Sequence, residues 1–206
     1  LTLINEQKCF MSNSLASNPL LAALSLPQFS KIQPEHIKPA VEHAISHCRE
    51  VIEKSLNDNS TYTWQNLVMP IDEADDVLGK LWSPVSHMNS VVNSEALRDA
   101  YEECLPLLSE YGTWVGQHKP LFNAYQQIAN SALFNELDQP QQKVISNALR
   151  DFELSGIALN DEDQKTYGKI VSRLSELSSK FSNNVLDATQ EFTVLITNEA
   201  ELAGLP

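Results

Sequence analysis

The longest uninterrupted helical pattern in the chain, residues 160–190, constrains most of what it can fold into. Apolar residues recur there at Tyr167, Ile170, Leu174, Leu177, Phe181 and Val185. Those steps of three or four hold one face of a 3.6-residue helix apolar. Asn160 is a natural N-cap, and Asp161, Glu162 and Asp163 set negative charge against the positive end of the helix dipole. Glu176 precedes Lys180 by four residues, the favourable orientation for a surface ion pair. At about 1.5 Å per residue, such a helix is a rod of roughly 45 Å. A rod of that length needs other helices to cover its stripe. The pattern therefore predicts that Leu174, Leu177 and Phe181 are buried by the helices around Ile45, Leu78 and Leu108, and that Leu177→Ala costs ~2–5 kcal/mol.

The rest of the chain supplies those helices. Residues 18–32 are punctuated by Pro and Ser and read as an extended arm on the body. Pro34 and Pro39 each suit a helix first turn, which predicts one turn and then a helix to about Leu56. Its stripe is Ile37, Val41, Ala44, Ile45, Cys48, Ile52 and Leu56. A second long segment runs from Trp64 through Leu67, Val68, Ile71, Leu78, Leu81, Trp82 and Val85 to Met88, with Pro70 and Pro84 positioned to kink or split it. Ser94 caps a third helix to about Gly116, bent at Pro106, and a shorter one follows Pro120. Asp138 and Gln141 stand in capping-box spacing before a helix to about Ser155, with Gly156 at its C′ position and Ile157 as the apolar residue after it.

Beyond the rod, Phe192, Val194 and Ile196 alternate with Thr193, Leu195 and Thr197, a short strand with no partner strand upstream. The predicted class is thus all-α: a multi-helix bundle of long, partly kinked helices, with one short terminal strand left unpaired by truncation. Residues 18–190 form the helical domain and 191–206 begin a further region. Residues 1–17 lie outside it, and the first ten, which precede Met11, read as vector-derived or upstream read-through sequence without fixed structure.

Composition narrows the function. A balance of 14 Lys+Arg against 27 Asp+Glu leaves a net charge of −13. No basic stripe is then available to neutralise nucleic-acid phosphates, and an anionic membrane surface is equally disfavoured. Cys9, Cys48 and Cys104 are an odd, scattered set without a CxxC, which fits reduced thiols in a cytoplasm. No apolar run approaches the ~20 residues that span a bilayer.

Residues with chemical potential are few. His43 and His47 stand i,i+4 on one helix face, but no third ligand accompanies them. His36, His43, His47, His87 and His118 are followed by Ile, Ala, Cys, Met and Lys, so no HExxH zinc motif occurs. Asp72, Glu73, Asp75 and Asp76 lack calcium-loop spacing and read as a solvated acidic face. Asn59 opens a formal glycosylation sequon that a cytoplasmic chain would not use. Trp82, Tyr101, Tyr111 and Trp114 sit at helical spacing as core aromatics. No GxSxG, GxGxxG or P-loop is present, and no catalytic, cofactor-binding or metal-binding residue is assigned.

Five stretches nonetheless resemble one family in order and spacing. They are FSKIQPEHIKPAV (29–41), DDVLGKLWSPVSHMNSV (75–91), LPLLSEYGTWVGQH (105–118), NALRDFELSGIAL (147–159) and RLSELSSKFSNNVLDAT (173–189). From about Asn18 onward the chain resembles the N-terminal region of the thimet-oligopeptidase-like zinc metallopeptidases. The resemblance implies a protein some three times longer, with an HExxH and a downstream Glu binding one zinc ion elsewhere. There the motif's Glu would activate a zinc-bound water against a peptide carbonyl. It also implies a deep channel that admits short peptides and excludes folded proteins, with this segment in one wall. None of the quoted residues matches a zinc ligand or catalytic position, so zinc is expected in the whole protein and not in this segment. A free-standing helical interaction module is the other reading of the same residues. Oligomeric state is left open by the sequence.

Overall fold

The computed structural model describes residues 15–22 and 26–204, so the expectation for the first ten residues lies outside the described ones. Well over half of residues 33–190 are α-helical. Helix α1 spans Pro34–Asn57, α2 Met69–Val91, α3 Glu95–Gly116, α4 Lys119–Ala129, α5 Gln139–Leu154 and α6 Asp161–Glu191. Short 3-10 turns cover Phe29–Lys31, Ala132–Glu136 and Glu199–Leu202.

Capping chemistry sets most of the boundaries. The backbone N–H of Gln33 donates to His36 Nδ1 at the start of α1, where Pro34 occupies the first helical position and needs no donor. Pro39 does not divide this helix as its sequence suggested: α1 is unbroken, with Pro39 inside it. One missing hydrogen bond is offset by a face on which Ile37, Val41, Ala44, Cys48 and Ile52 are all buried. Pro84 and Pro106 likewise lie inside continuous helices, whereas Pro70 marks a real irregularity. The chain enters α2 through a π-helical turn, Trp64–Val68, fixed by the reciprocal Thr63 and Asn66 cap.

Ser94 Oγ accepts from Leu97 N–H at α3, and Asp138 pairs reciprocally with Gln141 at α5. At the end of α5, Gly156 has φ 81°, Ile157 N–H reaches Phe152 C=O, and Gly156 N–H reaches Glu153 C=O. That is the left-handed C-terminal cap that Gly156 and Ile157 predict. Asn160 Oδ1 accepts from both Glu162 and Asp163 N–H to open α6.

Two apolar clusters hold the body, and α1 runs through both. The first joins Ile37, Val41, Ala44 and Cys48 of α1 to Leu78, Leu81 and Val85 of α2 and to Leu97, Cys104 and Tyr111 of α3. The second gathers Ile52, Leu67, Val68 and Ile71 with Leu121, Tyr125 and Ile128 of α4, Ile145 and Phe152 of α5, and Ile157. On the arm, Asn18 is buried and donates to His36 C=O, which ties residues 15–22 to the start of α1.

Helix α6 forms over the span that its pattern predicts, but its apolar stripe faces the other way. Leu174 is 58% exposed, Leu177 44% and Phe181 70%, and Ile170 and Val185 are half-exposed beside them. The face against α3 is small and polar instead: Ser172, Ser175, Ser179 and Asn183 line the crevice with Arg98, Glu102, Leu105 and Pro106. Buried Asn183 donates to Glu102 at 2.6 Å, and Arg98 grips Asp187 through two bonds of 2.9 and 2.7 Å. At 100° per residue, positions 172, 175, 179 and 183 lie opposite 170, 174, 177 and 181. Periodicity shows that a helix has an apolar face without showing what covers it, and here short side chains and a bidentate ion pair win the inner position. The expected burial of Leu177 does not hold in this chain.

Residues 192–198 lie outside any helix and have no ladder partner among the described residues, and Phe192, Val194, Leu195 and Ile196 are exposed.

Candidate functional site

A groove of about 480 Å³ opens between α2, α3, α4 and α5. Its walls are Leu78, Trp82, Leu108, Tyr111, Tyr125 and Phe152. Two glycines keep it open: a Cβ at Gly79 or at Gly112 would meet nothing within 4 Å. Deeper in, α3 and α5 touch, and a Cβ at Gly116 would lie 2.5 Å from Ser155 Cβ. Phe152 meets Tyr125 edge-on with ring centroids 5.8 Å apart, a geometry that suits the quadrupoles of both rings.

One polar pair sits in this apolar setting. Tyr111 donates its hydroxyl proton to Asp75 Oδ1 at 2.7 Å. Burial among the groove walls raises the Asp75 pKa although part of the side chain opens to solvent, and the Tyr111 hydrogen bond works against that rise. Burial and the Asp75 carboxylate both raise the Tyr111 phenol. Cys48 Sγ donates to Ala74 C=O beneath them, and burial pushes its thiol up to about 11. A thiol held that high stays protonated near neutral pH and is no nucleophile. This groove is equipped to hold an apolar group against a carboxylate; it carries no nucleophile and base arranged in relay.

The acidic run is thereby divided. Asp72, Glu73 and Asp76 are solvated as their sequence suggested, and Asp76 pairs with Lys80 at 2.5 Å. Asp75 is exposed with them, but its carboxylate also accepts from Tyr111 at the groove. The signal was in the spacing: Ile71, Asp75, Leu78 and Trp82 share one helical stripe, so a carboxylate interrupts an apolar face. Its partner, Tyr111, came from a second helix, and a single-helix pattern cannot supply a contact between two.

Other residues named from sequence fall apart in space. His43 and His47 are exposed on α1. Among the described residues, no group of three or more His, Cys, Asp or Glu side chains could hold a metal ion. Asn59 Nδ2 donates to Ser55 C=O and its Oδ1 accepts from Asn66, which spends the sequon side chain on structure. Trp82 stacks on Tyr101 with centroids 4.8 Å apart, and the Arg49 guanidinium lies 4.5 Å over Trp114. His118 Nδ1 accepts from Leu121 N–H, which leaves its proton on Nε2, 3.1 Å from Glu53 Oε1. Cys48 and Cys104 are buried thiols, and Cys9 lies outside the described residues. Among the described residues, no helix is long and apolar enough to cross a membrane.

The sequence of this bundle matches known proteins closely. It is 60% identical over 190 residues to "Oligopeptidase A" of Haemophilus influenzae and 56% identical to "Oligopeptidase A" of Escherichia coli, in both cases over 92% of this chain. It is 35% identical over 94% of its length to "Organellar oligopeptidase A, chloroplastic/mitochondrial" of Arabidopsis thaliana. The chain spans only 28% of the length of each of the two bacterial relatives. The model of the Neurolysin/Thimet oligopeptidase N-terminal domain matches residues 41–164, most of the helical body described above. This chain belongs to the neurolysin and thimet oligopeptidase family and carries its N-terminal domain.

Proposed function

We propose that this chain is the N-terminal, non-catalytic helical portion of a zinc-dependent oligopeptidase that hydrolyses short peptides in the cytoplasm. In that reading it forms part of the wall of the substrate channel and so limits substrate size. One observation carries it: 60% identity over 92% of this chain to a protein of which the chain spans 28%. An activity named for relatives of that length can reside in polypeptide that this chain does not contain. No His of this sequence precedes a Glu, and His43 and His47 lack a third ligand, so the zinc and the water it activates belong to that other polypeptide.

The test compares the whole protein with residues 1–206 alone. Zinc is measured by elemental analysis after dialysis, and turnover with a quenched fluorescent peptide, each with and without chelator. The whole protein is expected to hold one zinc and to cleave peptides until chelated, and the 206-residue chain to do neither. Chelator-sensitive cleavage by residues 1–206 would place the active site among residues that this reading makes scaffold. A whole protein with no HExxH beyond residue 206 would instead favour a free-standing interaction module.

A further inference from the structure

Helix α6 presents its apolar face to solvent, and nothing among the described residues covers it. Ile170, Leu174, Leu177, Phe181 and Val185 form one continuous stripe, all exposed. Scattered exposed apolar residues are ordinary on a protein surface, whereas a contiguous row marks an interface. The orientation is not slack: the Arg98–Asp187 pair, the Asn183–Glu102 hydrogen bond and the serine face against α3 hold the stripe outward. Its two edges differ. Lys169, Arg173 and Lys180 run along one, with Arg173 already paired to Glu176 of the same helix, and Ser178 and Ser182 run along the other.

We propose that this stripe is the seat of the remaining polypeptide of the same protein, which lays an apolar helix face on it with acidic residues along the Lys169, Arg173 and Lys180 edge. The inference rests on the oligopeptidase reading above. More than two thirds of each bacterial relative lies outside the match, and in that reading the corresponding polypeptide is a large tethered partner. Tethering converts docking into an intramolecular event at high effective concentration, and a narrow apolar stripe then suffices. A second copy of this chain fits less well. A stable interface between folded copies needs ~800 Å² a side from about 20–30 residues, and the stripe offers five.

Hydroxyl-radical footprinting of the whole protein reads these side chains directly, with the same protein in denaturant as the exposed reference and Ile37 and Leu81 as the buried one. Ile170, Leu174, Leu177 and Phe181 are expected to react at least tenfold more slowly than in denaturant, equally at low and high protein concentration. Reaction within twofold of the denatured rate would overturn the proposal. So would protection that appears only where sedimentation shows dimers, which makes the second copy the occupant. Zinc content and peptide turnover of the same preparation separate the two readings. Active zinc enzyme with a reactive stripe refutes the docking alone, and a protected stripe without zinc-dependent turnover refutes the oligopeptidase reading alone.

Discussion

Gly116→Ala should destabilise this chain in spite of the better helix former it introduces. Gly116 closes α3 where it crosses the end of α5, and an added Cβ would lie 2.5 Å from both Cβ and Oγ of Ser155. The hydroxyl can rotate away, but the Ser155 Cβ is fixed to the backbone, so one helix must move. Overpacking of this kind costs ~1–3 kcal/mol. Against it stands the helix preference of Ala over Gly, about 1 kcal/mol in a helix interior and less at a last residue such as this. The clash wins, and a net loss of roughly 1–2 kcal/mol follows from those two ranges.

The reasoning is tested with a second substitution. Ser155→Gly removes the obstructing Cβ and leaves the Ser155 Cα 4.0 Å from the new methyl, an ordinary contact. Urea denaturation of the parent, both single variants and the double variant gives the coupling energy by difference. Gly116→Ala should cost less in the Ser155→Gly background than alone, by at least ~1 kcal/mol if the clash is the cause. Simple additivity would mean that α3 and α5 do not approach as closely as described.

Leu81→Ala, at a fully buried position between α1 and α2, should cost ~2–5 kcal/mol in the same assay, and a loss below about 1 kcal/mol would contradict the first core cluster. The raised pKa of Asp75 means that the folded chain holds that proton more tightly than the unfolded chain does. Stability contributed there is present below the ordinary carboxylate range and falls as pH rises through the folded value. Asp75→Asn keeps an acceptor for Tyr111 and should flatten this part of the pH profile, whereas an unchanged slope would exonerate Asp75. Tyr111→Phe removes the donor that favours the carboxylate, and should cost about 0.5–1.5 kcal/mol at neutral pH and steepen the same slope.

Local chemistry made much of this fold legible in the sequence. Caps depend on residues three positions apart, so Ser94, Asp138 with Gln141, Asn160 and the Gly156 to Ile157 exit could be read directly, and each bounds a helix as its residues require. Prolines were less informative, because their cost is fixed while the burial that offsets it is tertiary. Pro39, Pro84 and Pro106 interrupt no helix, since Ile37, Val41, Val85 and Cys104 on the same helices are completely buried. The groove was legible only in part. Asp75 could be seen to break an apolar stripe, but Tyr111 lies 36 residues away, and its approach depends on how α2 and α3 pack.

The failure at α6 has a different origin. Periodicity assigns an apolar face to the core by assuming that the core is the only apolar surface within reach, an assumption suited to a chain that buries all its stripes internally. Here α3 offers α6 Arg98 and Glu102, and α6 answers with Asp187 and Asn183, so the polar faces are matched across the pair. Turning α6 by half a turn would set Leu174, Leu177 and Phe181 against Arg98 and Glu102 and break the bonds those two make to Asp187 and Asn183. The bidentate Arg98–Asp187 pair and the 2.6 Å bond from Asn183 to Glu102 would be lost with no polar group of α6 to replace them. The outward stripe keeps those polar bonds, and the sequence held the clue in Asn183 and Asp187. They lie on the face of α6 opposite the leucines, facing the arginine and glutamate that receive them.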